Sequence, residues 1–167
     1  MAPLVTGLPP VFPAPCHLLV LGSLPGNRSL AAQQYYAHPQ NQFWRLMERV
    51  TGDSLQGLAY DDRLGVLARH RIGLWDVIAT ARRASSLDGD IQQAVRNPLA
   101  TLITELPDLR AVACNGALAA RLAMRELAAS ELPLLALPSS SPAYTLNFAA
   151  KADRWQALAA YLAPPVA

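Results

Sequence analysis

The sequence predicts an α/β protein: a three-layer α/β/α sandwich around a four-stranded, mostly parallel sheet. Three observations lead there. Four short, continuous apolar runs recur along the chain, as strands covered on both faces require. Segments of helical character separate them, so the order reads βααβαβαβα, and crossovers of that kind pair strands in parallel. The chain has 167 residues, 52% of them hydrophobic, which is enough for a packed core and too apolar for disorder.

The elements follow in order. Residues 17–22 form the first strand, His17-Leu18-Leu19-Val20-Leu21, which runs into the turn Gly22-Ser23-Leu24-Pro25-Gly26. Helices are predicted over 41–51 and 60–71, and a second strand over 72–78. Asn97-Pro98 opens a helix over 97–106, a capping residue followed by proline at the first helical position. A third strand covers 110–115. The helix over 116–129 carries Leu118, Leu122 and Leu127 on one side, a fourth strand covers 133–137, and the last helix covers 148–162. All of 1–167 reads as one domain, with the Pro-rich residues 1–15 and the end, 164–167, as loose tails.

Composition narrows the function classes. The net charge of +2 does not by itself announce a nucleic-acid partner. Of the 14 basic residues only Lys151 is lysine, a bias toward arginine that accompanies abundant Ala, Pro and Leu. Cys16 and Cys114 fall at opposite ends of a parallel sheet, beyond disulfide reach, and no Cys/His cluster offers a metal site. The N-terminus lacks the basic start of a signal peptide, and no apolar run reaches membrane length, so a cytoplasmic protein is expected.

Strand direction sorts the polar residues. The C-terminal edge of a parallel sheet is where α/β proteins place their chemistry. That edge collects the Gly22–Gly26 turn, His38, Asp76, the segment holding Arg82 and Arg83, Asn115-Gly116, and Ser139-Ser140-Ser141-Pro142-Ala143-Tyr144. His17 and His70 fall on the opposite edge and read as structural or surface residues. Trp44, Trp75 and Trp155 read as core. Each rim residue also has a plain reading: Arg82-Arg83 as a solvated loop, Ser-Ser-Ser-Pro as a turn, Asp76 as a cap. Together they form a kit. Hydroxyls and exposed amides hold phosphates, tyrosine stacks on a flat base, and Asp or Asn reads a base edge. A protein that extrudes a nucleotide into a pocket needs these groups.

The segments Gly22–Gly26, Tyr36-Ala37-His38-Pro39-Gln40-Asn41-Gln42-Phe43-Trp44, Gly73-Leu74-Trp75-Asp76-Val77 and Ser139-Ser140-Ser141-Pro142 resemble the uracil-DNA glycosylase superfamily, and within it the hypoxanthine-DNA (deoxyinosine) glycosylase branch. The resemblance runs from residue 17 to 162 in the same order. It implies the same α/β sandwich and a monofunctional, metal-independent enzyme without cofactor. Such an enzyme acts as a monomer on DNA containing a deaminated base and has no lyase activity. Leu24 stands where many members carry the Asp or Asn that positions water, and Leu137 where uracil enzymes carry histidine. The resemblance therefore moves the catalytic role to Asn41. It assigns base stacking to Tyr36, base reading to Asp76, and base-oxygen binding to the backbone of Ser23 and Leu24. Gly26, Ser139, Ser140, Ser141 and Pro142 would grip DNA, with Arg28, Arg82 and Arg83 on phosphates. Tyr144 would be the wedge that fills the vacated stack, with Leu146 competing for that place. Lys151, in the last helix, is expected far from the rim. Two other readings stay open: a uracil or mismatch glycosylase, and a non-catalytic nucleic-acid-binding module.

Overall fold

A computed structural model describes residues 1–162. Four strands form a parallel sheet: β2 (Leu18–Gly22), β3 (Ile72–Asp76), β6 (Ala111–Asn115) and β7 (Leu134–Leu137), in the order β3-β2-β6-β7. The strand order reverses direction between β2 and β6. In open α/β sheets ligands bind in the crevice beyond the carboxyl ends of strands at such a switch point.

Side chains alternate across β2, and the alternation makes two cores. Leu18 and Val20 face α2 (Phe43–Thr51), α3 (Tyr60–Arg69) and α6 (Phe148–Trp155). Leu19 and Leu21 face α4 (Leu99–Thr104) and α5 (Ala117–Glu126). The three-layer sandwich stands as expected. Trp44 and Trp155 are core residues, whereas Trp75 is half-buried, edge-on to Phe12. Cys16 and Cys114 are both free and buried. His70 pairs with Asp53 at 2.7 Å on the edge away from the site.

Three expectations are corrected. The predicted strand 72–78 is two strands. The chain bends at Val77, whose N–H bonds to the Gly22 carbonyl, and continues as β4 (Ile78–Arg82), the middle strand of a separate antiparallel sheet between β1 (Leu4–Thr6) and β5 (Gln92–Arg96). Residues 1–15 are not a loose tail. β1 (Leu4–Thr6) pairs with β4, Val11 bridges to Leu74, and Leu8 is buried against the core. The apolar residues between the prolines supply the contacts that hold this segment down. Asn97 does not cap its helix; its side-chain amide donates to the Asp76 carbonyl at 2.8 Å and fixes the end of β3. Residues 164–167, expected as a second tail, lie outside the described residues. Among the described residues no helix is long and apolar enough to cross a membrane.

Candidate active site

β2, β3 and β6 end side by side. Gly22 and Asp76 are paired across adjacent strands, and Asn115 closes β6. Their C-terminal ends open into a cavity of about 640 Å³, inside the range of small-ligand sites. The turn after β2 forms one wall. The segment Tyr35–Asn41 forms the second, the loop Ser139–Tyr144 the third, and residues 86–90 the fourth.

Asp76 lies at the floor, 4% exposed. Its Oδ2 has no hydrogen-bond partner. Burial, with the nearby Asp88 carboxylate adding to it and the Arg83 guanidinium opposing it, pushes its carboxyl up to about 7. Gly22 makes room for this arrangement: a Cβ there would lie 2.5 Å from Asp76 Oδ1 and 3.1 Å from the Tyr36 hydroxyl. Tyr36 adopts φ of 55°, the left-handed region, which turns its ring onto Phe43 at 3.9 Å between centroids. Its hydroxyl is also buried without a partner, and burial together with Asp76 raises its phenol well above the ordinary range.

Asn41 belongs to a three-residue network. Its Oδ1 accepts the Phe43 N–H at 2.9 Å and the Ser140 hydroxyl at 2.8 Å. Ser140 in turn accepts from Asn115 Nδ2 at 2.9 Å and returns its own N–H to Asn115 Oδ1 at 2.9 Å. The acceptor side of the Asn41 amide is therefore committed, which leaves its N–H groups for the cavity that it lines. Asn115, which carries no assigned role in the sequence reading, locks this network. The signal available was its place at the end of the third apolar run.

Several expected DNA contacts move. Arg83 is 1% exposed and cannot reach a phosphate; its guanidinium turns inward and donates to the carbonyls of Leu24 and Pro25. Arg82 lies on β4 and donates to the Ala2 carbonyl, away from the cavity. The bend at Val77 causes both changes, because it turns a supposed rim loop into a strand of the second sheet. Ser140 is 1% exposed and holds the network rather than DNA. Leu24 presents its backbone to the cavity, while its side chain packs in the core with Val77 and Ile78. Gly26, Arg28, Ser139, Ser141, Pro142 and Tyr144 do line the mouth, and Arg28 and Tyr144 are exposed there. Leu146 is exposed beside that loop but is not in the wall. Lys151 is closer than expected: it is buried, and its Nζ donates to the Ser141 carbonyl at 3.2 Å. Asp88, unassigned in the sequence reading, enters the cavity from the fourth wall and accepts the Ser23 hydroxyl at 2.6 Å. Among the described residues no group of three or more His, Cys, Asp or Glu is arranged to hold a metal ion.

A cavity of about 640 Å³ with an aromatic wall, carboxylates and an amide network at the switch point of a parallel sheet suits an α/β protein that takes in a flat ligand with polar edges. Comparison makes the class specific. The profile of the uracil DNA glycosylase superfamily matches residues 9–162, and the chain belongs to that superfamily. Two relatives named hypoxanthine DNA glycosylase, from Methanosarcina barkeri and Methanosarcina acetivorans, are 42% and 41% identical over 110 residues. Each alignment covers 66% of this chain and 70% of the relative. A solution NMR structure of a candidate uracil DNA glycosylase from Methanosarcina acetivorans superposes with a TM-score of 0.85 at 35% identity. It covers 94% of this chain and 97% of that one.

Proposed function

We propose that this protein hydrolyses the N-glycosidic bond of deoxyinosine in DNA and releases hypoxanthine. The observation that carries this reading is Asp76, a residue of the cavity wall whose buried Oδ2 has no partner. A buried polar atom of this kind is costly unless a ligand satisfies it. Hypoxanthine offers its ring N1–H to the ionised carboxylate. Tyr36, backed by Phe43, is the stacking platform. The names of the two relatives support the same base.

The bond breaks with its electron pair leaving on the base. Backbone N–H groups of the Ser23–Leu24 turn receive the negative charge that develops on the base oxygen. Water then captures the sugar cation late, steered by the Asn41 amide; an amide is too weak a base to do more. One chain supplies every group. No Schiff base forms, because Lys151 is buried and its amine is engaged under the Ser141 carbonyl.

Single-lesion duplexes carrying deoxyinosine, deoxyuridine or deoxyxanthosine, treated with enzyme and then alkali, test the reading. Alkali-dependent breaks are expected at deoxyinosine, with full rate in excess chelator and no borohydride-trapped adduct. Faster cleavage of deoxyuridine would reassign the base, and no cleavage of any lesion would refute the activity.

A further inference from the structure

The cavity wall holds two more carboxylates, Asp88 and Asp90; Asp90 accepts the Ser85 hydroxyl at 2.5 Å, and Asp88 is the one at the turn. Asp88 comes from a loop remote in sequence, yet its Oδ1 is fixed by the Ser23 hydroxyl at 2.6 Å. The loop is itself pinned. The Ser86 hydroxyl accepts the Asn27 N–H at 3.0 Å, and the Ser85 hydroxyl accepts the Leu87 N–H at 3.0 Å. Asp88 therefore stands over the turn at Ser23 and Leu24, a turn whose own side chain at Leu24 is committed to the core. Asp76 lines the same cavity, and its Oδ2 is buried and unpartnered. Asp76 and Asp88 differ in setting: Asp76 is buried, and Asp88 is exposed.

A fixed negative charge at the mouth of a DNA-binding pocket opposes the approach of phosphates. It weakens ground-state binding and is useful only where positive charge develops later. N-glycosidic cleavage develops such a charge on the deoxyribose. An interaction absent from the ground state and present in the transition state raises the rate rather than the affinity. Pairs of carboxylates in contrasting environments commonly divide such roles.

We propose that Asp88 is a catalytic residue: held by Ser23, its carboxylate faces the deoxyribosyl cation and takes the proton of the attacking water. The inference rests on the glycosylase reading of the same cavity. The C1′–N9 bond breaks and its electron pair leaves on the base. The water oxygen adds to C1′, its proton passes to the free oxygen of Asp88, and that proton returns to the departed base anion as neutral hypoxanthine. Asp76 reads the base and Asp88 serves the sugar.

The test is single-turnover cleavage by the full chain on whichever lesion of the panel the unaltered protein cuts fastest, with binding measured on the same duplex. Asp88→Asn keeps the shape and the bond from Ser23 but removes the charge. It is expected to lower the rate by about 10²- to 10³-fold and to bind the duplex at least as tightly. Ser85→Ala, which loosens the loop and frees Asp90 but touches neither Asp76 nor Asp88, is expected to stay within about threefold of the unaltered rate. Asp88→Asn at the unaltered rate would overturn the proposal. So would a Ser85→Ala loss as large as that of Asp88→Asn, or weaker binding by Asp88→Asn, since either would make the residue a loop anchor. Using the best-cut lesion separates an error about the base from an error about Asp88; if no lesion is cut, both fall.

Discussion

Gly22→Ala isolates the geometry of the carboxylate proposed to read the base. Gly22 ends β2 in extended backbone that alanine adopts without strain, and the added methyl gains some backbone entropy. The methyl would nevertheless sit 2.5 Å from Asp76 Oδ1 and 3.1 Å from the Tyr36 hydroxyl. Ordinary contact begins near 3.4 Å, so the carboxylate must retreat by about 0.9 Å. It has little freedom to do so, because Asp76 is 4% exposed and the Asp76 carbonyl is tied by Asn97. A misplacement of about 1 Å at a substrate-orienting group costs on the order of 10²-fold in rate, or about 2.7 kcal/mol.

The assay is single-turnover cleavage of deoxyinosine DNA alongside thermal unfolding. The expected result is a rate loss of roughly 10²-fold in a protein that still folds, with the melting temperature lowered by several degrees because overpacking a buried site costs about 1–3 kcal/mol. Gly65→Ala, where a Cβ meets nothing within 4 Å, is the control and should leave the rate unchanged. In an Asp76→Ala background the Gly22→Ala change should cost little, because the two groups act through one contact. A stable Gly22→Ala variant with the unaltered rate, or full additivity with Asp76→Ala, would refute the reasoning.

Three further outcomes are expected. Asn41→Ala should slow single-turnover cleavage by about two to four orders of magnitude; Asn41→Asp, which keeps the acceptor for Phe43 but loses the N–H donors, should also be slow, and its recovery would reduce Asn41 to a cap. Arg28→Ala should make the slope of log affinity against log salt shallower by roughly one unit, whereas Arg110→Ala, on the opposite edge and bonded to the Leu162 carbonyl, should not. The Asp76 carboxyl, faced by Asp88, Arg83, Tyr35 and Tyr36, is raised to about 7, so the folded state holds its proton more tightly than the unfolded state does. Its contribution to stability therefore falls as pH rises from about 4 to about 7 and is level above. Asp76→Asn should gain on the unaltered protein between about pH 5 and about pH 8; equal differences in melting temperature at both would count against this.

The central sheet was legible because its strands are buried on both faces. Leu18 to Leu21 and Ala111 to Cys114 are almost fully enclosed, so their sequences are continuous apolar runs. β5 (Gln92–Arg96) was not legible for the converse reason: all of its residues are exposed, and Gln-Gln-Ala-Val-Arg carries no alternation to detect. β1 is three residues among prolines, and α1 (Asn27–Ala32) is only six residues long. Neither carries a periodic signal, and tertiary pairing rather than propensity holds β1. The break at Val77 was hidden because Ile72 to Ile78 is apolar throughout except for Asp76. A bend between two sheets leaves no mark in such a run.

The site residues divide along the same physical line. Asp76 could be placed because it ends a strand, where chain direction decides which edge it reaches; Tyr36 and Asn41 lie beyond α1, and only the family resemblance singled them out. Arg83 was misplaced because a guanidinium is as able to satisfy backbone carbonyls from below as phosphates from above, and sequence does not distinguish the two. Its inward turn has a consequence for the site. Arg83 brings a buried cation to the underside of the turn that Asp88 approaches from the mouth, and it opposes the rise of the Asp76 carboxyl. The Asp88 carboxylate would otherwise push the Asp76 carboxyl further up. Arg83 beneath them limits that rise at Asp76. Arg83→Met should therefore push the Asp76 carboxyl further up. If Asp76 must be ionised to accept N1–H, the acid limb of the rate profile for deoxyinosine should move to higher pH, while Arg82→Met, on the same strand end but bonded to Ala2, should leave it in place. A limb that stays put in a folded Arg83→Met variant would mean that Arg83 only anchors the turn.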